Sequence, residues 1–157
     1  MNSSFSMSST NLELSFSQKE NRLFLNSLLY TGSPWLFQAM PSSIFALQVD
    51  NTYYASQDLV FDRFLLDDSI PGVHHGIFSF SGPGFAVDHH IKLYQDTSLL
   101  EMAPVVRCTS DTPCRISRID SFAINIPGSA YRLFGFSGDW GREFKPIQTD
   151  LVQPYIL

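Results

Sequence analysis

An antiparallel β-sandwich with little helix is the fold class that this sequence predicts. Three observations carry it. Short apolar runs recur with period-two alternation, the spacing of a strand with one buried face. Turn signals rich in Gly, Pro, Asn and Asp separate these runs every 8–15 residues. No stretch sustains the 3.6-residue periodicity of an amphipathic helix. Aromatic residues make up 14% of the chain, with 14 phenylalanines, and suit a pleated, half-buried surface.

Taken in order, residues 1–10 are polar and Ser-rich and read as a disordered tail. Residues 11–157 read as one sandwich domain. Leu12, Leu14 and Phe16 alternate with Glu13 and Ser15 as a half-buried strand. Residues 22–30 (RLFLNSLLY) are apolar at both parities, which predicts a strand covered on both sides. Thr31-Gly32-Ser33-Pro34 reads as a turn. Phe45, Leu47 and Val49 lead through Asp50-Asn51 to Tyr53 and Tyr54, a hairpin pattern. Residues 59–66 form a further run. Residues 67–76 contain Pro71 and Gly72 and read as a loop, and Ser81-Gly82-Pro83-Gly84 as a turn.

Val87, His89, Ile91 and Leu93 alternate with Asp88, His90, Lys92 and Tyr94, the clearest strand pattern in the chain. Residues 99–107 follow, and Pro104 predicts an edge strand or a bulge. A strand is expected over residues 116–126. Its apolar parity changes between Ile119 and Phe122, so a bulge is expected near Asp120-Ser121. Pro127-Gly128 turns the chain into a last strand, Tyr131 to Phe136.

Composition excludes several classes of function. The net charge is −5 and the pI about 5.1, so no basic surface for nucleic acid is expected. No apolar run reaches 18 residues, so no membrane-spanning helix is expected. The N-terminus lacks a basic start and an apolar core, from which a cytoplasmic location is expected. Cys108 and Cys114 flank five residues. A disulfide is sterically open to them, and two free thiols are the favoured reading. Four histidines form two adjacent pairs, His74-His75 and His89-His90. Neighbours on a strand face opposite ways, so His89 falls on the apolar face as a hydrogen-bonded core residue. His90 on the polar face, with His74 or His75 in a nearby loop, would form a small polar patch. No metal or cofactor is expected. Trp35 and Trp140 are flat enough to stack on a sugar ring, so Trp35, His74, His75 and Trp140 are the candidate carbohydrate-binding residues.

Two segments exceed a generic β pattern. One is D-H-H-I-K-L-Y-Q-D-T-S-L-L-E at residues 88–101, and the other G-D-W-G-R-E-F at 138–144, after a strand reading Y-R-L-F-G-F-S. In this order they resemble the N-terminal β-sandwich domain of glycoside hydrolase family 36, the α-galactosidase (melibiase) family. The residues carrying the resemblance are Asp88, His90, Tyr94, Glu101, Trp140, Arg142, Glu143 and Phe144. Trp140 and Phe144 are expected to pack at a strand end, with Arg142 paired to a carboxylate. Members of that family are retaining enzymes, and their two catalytic aspartates lie in a (β/α)8 barrel that follows this domain. The resemblance therefore implies a non-catalytic domain with no catalytic residue of its own, partnered by a barrel and by other subunits. A free-standing carbohydrate-binding module and a structural assembly subunit are the alternatives that the residues leave open.

Overall fold

The computed structural model describes residues 3–31, 33–36, 42–123, 131–139 and 142–151. It is built of antiparallel sheets and one short 3-10 turn. The chain divides into two compact units, Met1–Ile126 and Pro127–Leu157.

Among the described residues the first unit holds three sheets. Strands β1 (Ser3–Ser8), β2 (Leu12–Lys19), β3 (Arg22–Tyr30) and β4 (Ser33–Leu36) form a meander in chain order. Strands β5 (Ala46–Val49) and β6 (Thr52–Ala55) form a hairpin, and a 3-10 turn (Ser56–Asp58) follows it. Strands β7 (Val60–Asp67), β8 (Val73–Gly82), β9 (Phe85–Tyr94) and β10 (Leu100–Cys108) form the second meander. Strand β11 (Ile116–Asp120) then crosses to pair with β5.

The two meanders face each other across a core of aromatic rings. Phe16 on β2 meets Phe78 on β8 with centroids 4.8 Å apart, and Phe78 stacks on Phe64 at 4.7 Å. Phe5 on β1 sits edge-on to Phe61 and Phe64. The β5–β6–β11 sheet closes the same core from one end, where Phe45 meets Phe80 and Tyr54 meets Phe85. Burial of this much apolar area is the main favourable term in holding the sheets together.

Local chemistry accounts for the turns. Asp50 and Asn51 have φ of 47° and 66° between the paired residues Val49 and Thr52, and Glu20 and Asn21 have φ of 51° and 59° between Lys19 and Arg22. Two successive positive-φ residues give the type I′ twist that a two-residue hairpin needs. At the β8–β9 turn Gly84 takes φ 80°, and Gly82 lies beneath the buried ring of its cross-strand partner Phe85. A Cβ at Gly82 would land on that ring, which the core holds in place. Gly82→Ala is therefore expected to lower stability by about 1–3 kcal/mol, read from urea unfolding.

Several expectations are corrected. Residues 3–8 are not a disordered tail. Phe5 and Met7 alternate with serines, Met7 is buried, and the segment pairs along β2. The double parity of residues 22–30 comes from a bulge. Ser15 pairs with Ser27 but Phe16 with Leu25, so Asn26 is the extra residue, and Ser17 Oγ donates to its Oδ1 at 2.8 Å. Leu23, Leu25 and Leu28 thereby all reach the core, while Phe24 and Leu29 stay half-buried rather than covered. Ser33 and Pro34 begin β4 rather than completing a turn. The loop expected over 67–76 is shorter, because β7 runs through Asp67 and β8 starts at Val73. In β11 the register shifts between Ile116 and Arg118, and the strand stops at Asp120, so no bulge lies at Asp120-Ser121. Pro104 does lie in an edge strand, as expected. The Pro127-Gly128 turn lies outside the described residues.

The second unit contains the hairpin of β12 (Tyr131–Asp139) and β13 (Arg142–Leu151). Its register runs from Tyr131 opposite Leu151 to Asp139 opposite Arg142, with a shift between Ser137 and Asp139. Arg132 Nε donates to Asp150 Oδ1 across the pair at 2.8 Å.

Candidate functional site

Strand β9 alternates perfectly. Phe85, Val87, His89, Ile91 and Leu93 are buried, and Ala86, Asp88, His90, Lys92 and Tyr94 lie on the other face. Register carries that outer face across the sheet. His75 of β8 lies opposite Lys92, Ile77 opposite His90, and Ser79 opposite Asp88. On the far side Glu101 of β10 lies opposite Lys92, Ala103 opposite His90, and Val105 opposite Asp88. Four of the residues singled out in the sequence, Asp88, His90, Tyr94 and Glu101, thus meet on one surface with His75.

The polar groups of this face are joined. His75 Nε2 and His90 Nδ1 are 2.8 Å apart with the rings stacked, so one nitrogen donates and the other accepts. Asp67 Oδ2 lies 3.7 Å from His75 Nδ1. Ser79 Oγ donates to Asp88 Oδ1 at 2.7 Å, and Arg107 donates to Asp88 Oδ2 at 2.6 Å. Lys92 Nζ and the Tyr94 hydroxyl each donate to Glu101 at 2.9 Å. Leu65 and Val105 are exposed beside these groups.

The electrostatics follow from the pairing. Burial opposes ionisation of Asp88, but the hydrogen bonds from Ser79 and Arg107, with the Arg107 charge, outweigh it and hold the carboxyl below its ordinary value. Burial, then the neighbouring His75, depresses His90 despite the opposing pull of Asp88. The hydrogen bonds from Lys92 and Tyr94 hold Glu101 low, and Glu101 in return raises both donors. Asp88→Ala would leave the buried Ser79 hydroxyl without its carboxylate acceptor and release the exposed Arg107 side chain. It is expected to lower stability by about 1 kcal/mol at pH 7, measured by urea unfolding against Val105→Ala, which should change it little.

The remaining candidates fall elsewhere. His74 lies on the opposite side of the sheet from His75, where its Nδ1 meets Asp68 Oδ1 at 2.9 Å and its Nε2 lies 2.8 Å from the Gln95 amide. Both histidines belong to a strand rather than to a loop, and it is His75 that joins His90. His89 is wholly buried, as expected, but it is not hydrogen-bonded: both ring nitrogens lack a partner among the described residues. Its ring lies flat on Phe45, centroids 5.0 Å apart. Trp35 belongs to β4, while Arg142, Glu143 and Phe144 open β13. The side chains of these four residues lie outside the described set, as does Trp140 entirely, and so does the packing and pairing expected of them. Cys108 and Cys114 are free thiols. Among the described residues no group of three His, Cys, Asp or Glu is placed to hold a metal ion. A recess of about 110 Å³ lies at the β1–β2 turn among Ser9, Asn11, Glu13 and Thr31, and none of the candidate residues lines it.

Residues 82–154 match the family model described as the glycosyl hydrolase family 36 N-terminal domain. The matched segment is just under half of the chain and contains both stretches on which the resemblance was read. It begins at the β8–β9 turn and takes in β9 to β13. No curated protein and no solved structure matches the chain. The family match supports a non-catalytic domain of a glycoside hydrolase.

Proposed function

We propose that this chain, which carries the N-terminal domain of glycosyl hydrolase family 36 over residues 82–154, serves an α-galactosidase-type enzyme as its scaffold. In this reading the sandwich packs against a (β/α)8 catalytic barrel, helps shape the rim of an active site and takes part in subunit assembly. The observation that carries it is the family match lying on a sheet whose outer face is built rather than merely solvated. Asp88, His90, Tyr94 and Glu101 are each held by a neighbour there, beside exposed Leu65 and Val105. Fixed polar groups around small apolar patches are the composition of a protein–protein interface with a polar rim. Ile116, Ile119 and Phe122, on and just after edge strand β11 of another sheet, are exposed apolar side chains as well.

The chain alone is expected to leave an aryl α-galactoside uncleaved. Mixed with a family 36 catalytic barrel produced without its sandwich, it is expected to co-elute with the barrel and raise its thermal midpoint. Turnover by the chain alone, or no association with the barrel at micromolar concentration, would contradict the proposal.

A further inference from the structure

We propose that Cys108 and Cys114 form a reactive dithiol that low-molecular-weight disulfides convert into an intramolecular disulfide, stapling the crossover between two sheets. The pair sits where such a bond has leverage. Cys108 is the last residue of β10 and Cys114 stands two residues before β11, so the intervening loop carries the chain from one sheet to another. Both ends of that loop are pinned. The N–H groups of Thr109 and Ser110 donate to Gly84 O at 2.9 and 3.3 Å. At the other end Arg115 N donates to Asp50 Oδ1 at 2.8 Å, and Asp50 N to Arg115 O at 2.9 Å. Pro113 restricts the backbone just before Cys114.

Within this frame the Cys108 sulfur turns back over the loop to Thr112 O, two residues before Cys114, which brings it toward the second of the two thiols. Their roles differ. Cys108 is exposed, whereas Cys114 is half-buried and packs on the core. As a thiol, Cys108 points at Thr112 O and Ser110 O, at 3.4 and 3.5 Å. Donors from Ser110 and then from Cys114 favour its thiolate and hold it below an ordinary thiol, while the same contact raises Cys114. Cys108 is thus the attacking sulfur and Cys114 the resolving one.

The exchange balances. The Cys108 thiolate attacks one sulfur of a disulfide RSSR, forms a Cys108–S–S–R bond and expels RS⁻, which takes up a proton. The Cys114 thiolate then attacks Cys108 Sγ and expels the second RS⁻. Two protein thiols lose two electrons, and RSSR is reduced to two RSH.

The test uses the full chain, reduced and then equilibrated across ratios of oxidised to reduced glutathione, with thiol labelling and intact mass as readouts. The expected product is about 2 Da lighter, has lost both thiols, and has a midpoint independent of protein concentration. It should also melt about 5 °C higher than the reduced chain. Cys114→Ser is expected to stop with one glutathionyl group on Cys108. Wild-type chain that stops there too, forms disulfide-linked dimers, keeps both thiols in excess oxidised glutathione, or melts no higher when oxidised would overturn the proposal.

Discussion

Phe78→Ala is expected to lower the unfolding free energy by about 3–5 kcal/mol, the range for deleting a buried aromatic ring. Phe78 is wholly buried and stands where three elements meet. Its ring touches Phe16 of the first meander, stacks on Phe64, and lies 6.4 Å from Phe61. Removing it leaves those rings facing a void that they fill only in part, because each is carried by a strand paired to its neighbour. A folded unit of about this size has about 5–15 kcal/mol to lose, so the variant should show a clearly lower urea midpoint at unchanged slope. The slope matters, because an unchanged value says that the same surface is still exposed on unfolding. A loss under about 1 kcal/mol would mean that the two meanders do not share one core.

This core was legible in the sequence wherever a strand keeps one parity. Leu12, Leu14 and Phe16 alternate in the sequence and are buried in the fold, and Val87 to Leu93 do the same. Legibility failed where the backbone spends an extra residue. In β3 the leucines at 23, 25 and 28 read as two faces, and only the pairing across to β2 shows that Asn26 is bulged. It failed at residues 3–8 for another reason. Five serines in the first nine residues suggest fraying, yet Phe5 and Met7 keep the strand period and were the signal to follow. The candidate face was half legible. Asp88, His90, Lys92 and Tyr94 share a face by alternation alone. That His75 and not His74 completes it depends on register, Val73 opposite Tyr94, which no local pattern encodes. The partnerless state of His89 was hidden too, since polarity in a sequence does not reveal whether a hydrogen-bond partner is within reach.

His89→Phe is expected to stabilise the chain and to remove much of its sensitivity to mild acid. The imidazole lies on Phe45, with Phe78 and Pro104 as its cross-strand neighbours, and has no hydrogen-bond partner among the described residues. Desolvation, with a smaller contribution from the His90 charge, depresses its pKa from 6.5 to about 3. The direction of the linkage follows. The unfolded chain binds a proton on this histidine below pH 6.5 and the folded chain does not until about pH 3, so stability is full above 6.5 and falls between those values. The loss is about 2 kcal/mol at pH 5 and approaches about 5 kcal/mol near pH 3. The depressed carboxylates, Asp88 and Glu101 among them, add acid sensitivity only as pH falls through their unfolded values of 3.8 and 4.5, so the window from 4.5 to 6.5 reports on histidine. A phenyl ring keeps the stack on Phe45 and has no nitrogen to leave unpaired, which should add about 1 kcal/mol at pH 7. Urea unfolding of both chains at pH 7, 6, 5 and 4.5 should therefore show the variant's advantage widening as pH falls. Parallel curves across that window would mean that His89 is protonated or hydrogen-bonded inside the fold.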